Sequence, residues 1–311
     1  VRIPAAILLA AALVAAAPPP SAHKRLLHVP AWAGAKDAAQ AAPLVAAALT
    51  AKVNGAPAVI DAVRGPESDL VLLVALDFTD DLSLVGLAKD AVVASIGALP
   101  PNVSVAVLRV QDGLSVLLDP TSDHAAAGEA VRALAVSGKA GLLDTIATSA
   151  RIADAMLEKA AVRVAVLYVT DSNIRNYRED FINPVINSSD EHDMSRRFPD
   201  VLIREKISKL ESRLAPYEAP LFIVHVAYRG DSLNDAYQTG LLQLVPNGGG
   251  TSALCRSRAE VPEAIASAFR AAASHYSVVV RLPERKAKTL QVQLDAAGHD
   301  LSYRNRFAVD R

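Results

Sequence analysis

The sequence predicts an α/β protein: a doubly wound, mostly parallel sheet with helices on both faces, joined to a small β annex built from both ends of the chain. Three observations carry this. Apolar runs of strand length at 70–76, 161–169 and 220–228 show no alternation, as expected of strands buried on both faces. Helical segments fill the intervals between them, and strand alternating with helix builds a parallel sheet. The C-terminal region instead alternates polar and apolar residues at 275–282, 289–294 and 300–307, the pattern of half-buried strands.

Residues 1–22 read as a secretory signal: Arg2 is the basic start, 3–17 are apolar, and small residues follow. The apolar segment is shorter than the ~20 residues a membrane span needs, so an exported protein (periplasmic, secreted or held in the envelope) with no span in its mature chain is expected. Residues 23–48, rich in Ala and Pro without a clear period, are predicted to be a linker. A hairpin follows at 49–66, with Asn54-Gly55 as its two-residue turn. The α/β domain spans 67–277. Its strand at 70–76 leads to a helix at 82–98. Strands at 103–110 and 114–118 are joined across Gln111-Asp112-Gly113. A loop at 119–123 carries helix-capping residues, and a helix runs to about 134. The long amphipathic helix at 142–159 precedes the strand at 161–169. Helices at 201–214 and 232–244 flank the strand at 220–228. A short strand at 251–254 and a helix at 261–273 close the domain. The strands of 278–311 are expected to pair with the N-terminal hairpin.

The 311 residues suit one large domain or a medium domain with extensions. With 51% hydrophobic but only 5% aromatic residues, the core should be aliphatic. A formal charge of −1 carries no polyelectrolyte signal, so nucleic acid is not an expected partner. The single cysteine, Cys255, excludes an intrachain disulfide and a multi-cysteine zinc site, and is expected to be a buried small residue.

Acids stand at the ends of two buried strands. Asp77 follows 70–76 and is itself followed by Thr79, Asp80 and Asp81; Thr170-Asp171 ends 161–169. Open α/β sheets bind ligands at the carboxyl ends of their strands. Four segments in order resemble the von Willebrand factor type A family, a Rossmann-like fold: the strand entering Asp77, Gly138-Lys-Ala-Gly-Leu-Leu-Asp144, Val166-Leu-Tyr-Val-Thr-Asp171, and the closing Pro246–Ile265 stretch. Together they span about 69–277. The flanking strands and signal resemble exported bacterial members of that family. The resemblance implies a metal-ion-dependent adhesion site holding Mg²⁺ (or Mn²⁺ or Ca²⁺) through oxygen ligands, with the last ligand supplied by a protein partner's acid. Asp77 matches the first aspartate, Thr79 stands for the first serine, Asp81 for the second serine, and Asp171 matches the second-strand aspartate. Ala140 stands where a threonine is expected and has no side-chain oxygen. Three readings follow: the three carboxylates hold a cation; Lys139 replaces the cation by pairing with Asp81 or Asp77; or Asp77 and Asp171 cap the helices after their strands.

The polar stretch 172–200 is longer than an ordinary connection, which suits recognition. Tyr177, Arg178, Asp180 and Phe181 are its candidate partner-binding residues. Asp190-Glu-His-Asp193 has a metal-like composition but reads as solvated charge. His225 reads as a core residue. Gly248-Gly-Gly250 lacks the Lys-Ser/Thr of a phosphate loop, and no Gly-x-Ser-x-Gly elbow is present. The expected function is therefore an exported, non-enzymatic binding protein that offers the C-terminal edge of its sheet to a protein partner. The alternatives are a structural envelope component with a dead site, or a metal-assisted hydrolase using Asp77, Asp81 and Asp171.

Overall fold

The computed structural model describes residues 26–35, 43–79, 81–177, 199–282 and 287–309. The predicted signal 1–22, the candidates Arg178, Asp180 and Phe181, and the 190–193 cluster lie outside the described residues. In chain order the strands are β1 (Leu26–Ala35), β2 (Leu49–Val53), β3 (Ala56–Arg64), β4 (Leu70–Asp77), β5 (Val103–Arg109), β6 (Ser115–Thr121), β7 (Arg163–Thr170), β8 (Leu221–His225), β9 (Ser252–Leu254), β10 (Tyr276–Arg281), β11 (Thr289–Ala296), β12 (His299–Tyr303) and β13 (Arg306–Ala308). The α-helices are α1 (Leu82–Gly97), α2 (His124–Ala133), α3 (Leu142–Lys159), α4 (Pro199–Leu214), α5 (Ser232–Gly248) and α6 (Val261–Ser274). None of the helices is long and apolar enough to cross a membrane among the described residues.

Strands β4 to β9 form one sheet in the order β6-β5-β4-β7-β8-β9. Every pair is parallel except β5 with β6. Strand β4 is central, which explains its unbroken apolar run. Leu70, Leu72, Val74 and Leu76 pack under α1, α2 and α6 on one face, while Leu73 and Ala75 face α3, α4 and α5 on the other. The order runs outward from β4 in both directions, so the chain reverses between β4 and β7. A crevice opens at the carboxyl ends of two such strands because their following connections diverge to opposite faces. Helix α1 buries Val85, Ala88, Val92 and Ile96, a three-and-four spacing that lays one stripe on the sheet.

The second sheet is antiparallel, curled, and larger than the predicted annex: seven strands in the order β12-β1-β10-β3-β2-β11-β13. One added strand, β1, second from an edge of the sheet, comes from the predicted linker. That strand is covered on both sides. Leu27, Val29 and Ala31 enter the sheet's own core. On the other side, His28 Nδ1 lies 2.7 Å from Glu218 Oε2, and the Trp32 indole donates to Ala271 O at 2.9 Å. The turn at Asn54-Gly55 has positive φ at both residues, 51° and 79°, as a tight hairpin turn requires.

Two arginines lock the sheets together at the amino ends of the parallel strands. Arg163, fully buried at the start of β7, donates to the carbonyls of Pro66, Ser68, Ala273 and His275. Arg304 donates to Ala215 O, Tyr217 O and Arg306 O, and its guanidinium lies 4.0 Å above the Phe307 ring. Burial lowers both guanidinium pKa values to about 10, so both remain charged near neutrality. The antiparallel sheet thus occupies one edge of the parallel sheet and leaves the C-terminal edge to its loops.

Candidate functional site

Asp77 and Asp171 stand on adjacent strands: Asp77 pairs with Thr170 in register, and the Asp171 N–H donates to Asp77 O at 3.2 Å. Both side chains are fully buried. Asp77 Oδ1 accepts from Gly141 N at 3.0 Å, and its Oδ2 accepts from Leu142 N at 3.2 Å and Thr170 Oγ1 at 3.3 Å. Gly141 is the residue before α3, and it has no side chain to cap the helix. Asp77 therefore satisfies, from across the fold, N–H groups that a helix start leaves unpaired. Glycine is required there, because a Cβ on residue 141 would lie 1.6 Å from Val110 O.

Asp171 does the same for the loop after β4. Its Oδ1 accepts from Thr79 N at 2.7 Å and, more weakly, from Thr79 Oγ1 at 3.4 Å; its Oδ2 accepts from Asp81 N at 2.9 Å. Asp81 is the N-cap of α1. Its Oδ1 accepts from Ser83 N at 3.0 Å, Ser83 Oγ at 2.8 Å and Leu84 N at 3.2 Å. The four metal candidates are thus brought together, with the carboxylates turned toward backbone N–H groups.

Burial pushes Asp77 up to about 6, against the N–H bonds from Gly141 and Leu142, and the Asp171 charge pushes it the same way. Asp81 lies below the usual carboxylate range because the Ser83 hydroxyl and the Leu84 N–H stabilise its charge. A hard divalent cation needs several oxygens converging on one point. Among the described residues no group of three His, Cys, Asp or Glu is arranged to hold a metal ion, and Ala140 adds no oxygen. As arranged, this donor set does not fit a divalent cation: binding would first have to pull the carboxylates off the helix starts. Lys139 does not take the cation's place either. It is exposed, its N–H donates to Asp112 Oδ1 at 2.9 Å, and it pairs with neither Asp77 nor Asp81.

A hydroxyl chain, unrecognised in the sequence, runs inward from Asp77. Ser172 Oγ lies 2.6 Å from Thr170 Oγ1 and 2.9 Å from Tyr237 OH; Tyr237 OH lies 3.1 Å from Tyr177 OH; Tyr177 OH accepts from Leu143 N at 3.3 Å. Each hydroxyl has one proton to give. An ionised Asp77 only accepts, so Thr170 donates to it, Ser172 to Thr170, Tyr237 to Ser172 and Tyr177 to Tyr237. Burial raises the pKa of both tyrosines, so the chain stays neutral beyond Asp77. This corrects the reading of Tyr177 as a partner-facing residue: it is 5% exposed and belongs to the core network. The sequence signal for the chain was only the Thr170-Asp171 pair; Tyr237 lies far along the chain on a buried helix face.

His225 is a buried residue at the end of β8. Its Nε2 meets Ser172 O at 2.7 Å, its Nδ1 has no partner, and burial lowers its pKa to about 4. Cys255 is buried as predicted, with its thiol pushed up to about 11 by desolvation.

Strand order, the reversal beside β4 and the acid-tipped strands define a von Willebrand factor type A-related fold. No family model matches the sequence, and no curated protein matches it. Solved structures are similar. The von Willebrand factor type A protein from Catenulispora acidiphila has 13% identity and a TM-score of 0.45, covering 93% of this chain and 74% of its own. An aerotolerance-related membrane protein from Bacteroides fragilis has 12% identity and a TM-score of 0.42, covering 65% and 98%. Proximal thread matrix protein 1 from the mussel byssus, solved with a zinc-occupied MIDAS motif, has 11% identity and a TM-score of 0.45, covering 71% and 50%. Likeness at this level does not carry function, so the site is argued from this chain's own residues.

Proposed function

We propose that this chain is an exported, non-enzymatic interaction protein that meets a protein partner at the C-terminal edge of its parallel sheet, with a site that keeps the outline of a cation-dependent adhesion site but works without the cation. The observation that carries this reading is the engagement of Asp77 and Asp171 with backbone N–H groups at the reversal point of the sheet. Export is supported by the pattern of residues 1–22. The interaction role is supported by the reversal of strand order beside β4 and by the antiparallel sheet occupying the opposite edge. A metal-assisted hydrolase on Asp77, Asp81 and Asp171 is the less favoured reading, because these carboxylates are already engaged by backbone N–H groups.

The test is calorimetric titration of Mg²⁺, Mn²⁺ and Ca²⁺ into the chain lacking residues 1–22, beside its Asp77→Ala variant. The expected result is no site-specific heat in either. Stoichiometric binding abolished by Asp77→Ala sinks the metal-free reading.

A further inference from the structure

We propose that the partner is recognised through a carboxylate-bearing peptide segment, which docks on a platform of Leu82, Tyr228, Arg256 and Arg258 beside Asp81. This rests on the reading of the C-terminal edge as the interaction face and names the chemistry that face accepts.

The platform is built from the ends of three elements. Arg258 Nη1 donates to Ser83 Oγ at 3.2 Å and Nη2 to Ser83 O at 3.4 Å. Ser83 Oγ in turn donates to Asp81 Oδ1 at 2.8 Å. The guanidinium of Arg258 is therefore held over the start of α1, beside the Asp81 cap. The Arg256 guanidinium lies 5.1 Å above the Tyr228 ring, and Tyr228 N–H donates to Cys255 O at 3.1 Å, tying the ends of β8 and β9 together. Glu260 is the nearest acid on this side. Its carboxylate accepts from Arg256 N at 2.9 Å and Ser257 Oγ at 2.9 Å, and the Arg256 charge adds to what holds it below the usual carboxylate range, without a direct ion pair between them. Neither Arg256 nor Arg258 forms an ion pair among the described residues.

A guanidinium has five N–H donors in a planar fork that matches a carboxylate. Arg258 spends two of them on Ser83, and both Arg256 and Arg258 are exposed. Beside them stand Leu82, 72% exposed, and Tyr228, 36% exposed. Arginine and tyrosine with an apolar neighbour is the composition of an energetic hot spot. The surroundings select against a polyanion. The chain's net charge is −1, and Asp81 and Glu260 flank the platform, so an extended phosphate backbone meets repulsion beyond the arginines. A short segment with one or two carboxylates and an adjoining apolar side chain meets the guanidinium groups and Leu82 and avoids those acids.

The experiment selects phage-displayed random peptides on the immobilised chain lacking residues 1–22. The synthesised winners are then titrated in EDTA against that chain, against the double variant Arg256→Gln/Arg258→Gln, and against Leu82→Asp. All three substituted side chains are exposed, and unchanged thermal unfolding confirms folding. The expected winners carry Asp or Glu next to a large apolar residue. Their amide isosteres and the double variant each weaken binding about tenfold or more, and raising the salt weakens it further. Winners without acids, binding that the double variant leaves intact, or binding that EDTA abolishes overturns the proposal. If such winners still lose binding to Leu82→Asp, the C-terminal edge keeps its role and only the carboxylate chemistry falls. If no peptide is selected, or none responds to Leu82→Asp, both readings fall.

Discussion

The clamp between Asp77 and the start of α3 predicts a large effect from adding one methyl group, Gly141→Ala. The new Cβ would lie 1.6 Å from Val110 O and 2.7 Å from Val110 C, both backbone atoms at the end of β5 that have no rotamer to change. Restoring an ordinary separation moves the start of α3 by more than about 1 Å, against interiors packed as tightly as crystals. That shift breaks or stretches the 3.0 and 3.2 Å bonds to Asp77. Hydrogen bonds to a charged group contribute about 1.5–3 kcal/mol each, and overpacking a filled core adds about 1–3 kcal/mol. A cost of about 4 kcal/mol or more is expected, a large share of a typical domain's stability of about 5–15 kcal/mol. Gly86→Ala is the internal control: it lies on the exposed side of α1, and a Cβ there meets nothing within 4 Å, so helix propensity should stabilise it by about 0.5–1 kcal/mol. Urea unfolding followed by circular dichroism reads both. A Gly141→Ala cost under about 1 kcal/mol, with the control behaving as stated, would falsify the claim that Asp77 clamps this helix.

Three other outcomes are expected. Millimolar MgCl₂, MnCl₂ or CaCl₂ should leave the thermal midpoint within about 1 °C of its value in EDTA, since a ligand stabilises only a state that binds it; a concentration-dependent rise would show that the acids do take a cation. Asp154, raised to about 7 chiefly by burial and then by the Glu218 charge, holds its proton more tightly in the folded state than in the unfolded one. Stability should therefore fall as pH rises from about 4 to 7 and level off above, by up to roughly 4 kcal/mol; Asp154→Asn should flatten that slope in urea titrations, and an unchanged slope refutes the assignment. Arg163→Met should cost at least about 2 kcal/mol by stranding the carbonyls of Pro66, Ser68, Ala273 and His275; a differential-scanning midpoint equal to the parent's would remove Arg163 from the seam.

The parallel sheet was legible because its physics writes a long signal. Burial on two faces forces unbroken apolar runs at β4, β7 and β8, and Arg163 interrupts one of them only at its first residue, where it reaches four carbonyls at the seam. Strand β1 was illegible for a related reason. Its inner face, Leu27, Val29 and Ala31, does alternate, but its outer face carries His28, Pro30 and Trp32, which the α/β domain covers. Two buried faces of different chemistry leave neither an apolar run nor a polar alternation. Pro30 deepened the misreading, yet its missing N–H is harmless. Up to Ala31 the strand pairs with β10, and pairing with β12 begins only there, so proline sits where one side of the strand is still unpaired. Similarly, α5 runs past its predicted end at 244 and through Pro246 to Gly248, closing on Gly249 at φ 76°. A proline in a last turn forfeits one hydrogen bond near an end that frays in any case.

The site was half legible, and the missing half has a definite cause. The sequence shows which acids end the strands but not what those acids bond to, because the competing partners are backbone N–H groups that every residue except proline carries. Asp-x-Thr at a strand end serves a cation or a loop equally well in letters. The choice is made elsewhere, at Ala140-Gly141. Alanine withholds an oxygen from the cation side, and glycine lets the start of α3 approach Val110 closely enough for two N–H groups to reach Asp77. Once those donors hold the carboxylate, an ion would have to replace them in a site with no exposed surface on Asp77. Alanine at 140 and glycine at 141 thus act together: the first offers no oxygen to an ion, and the second admits the backbone N–H groups that hold Asp77.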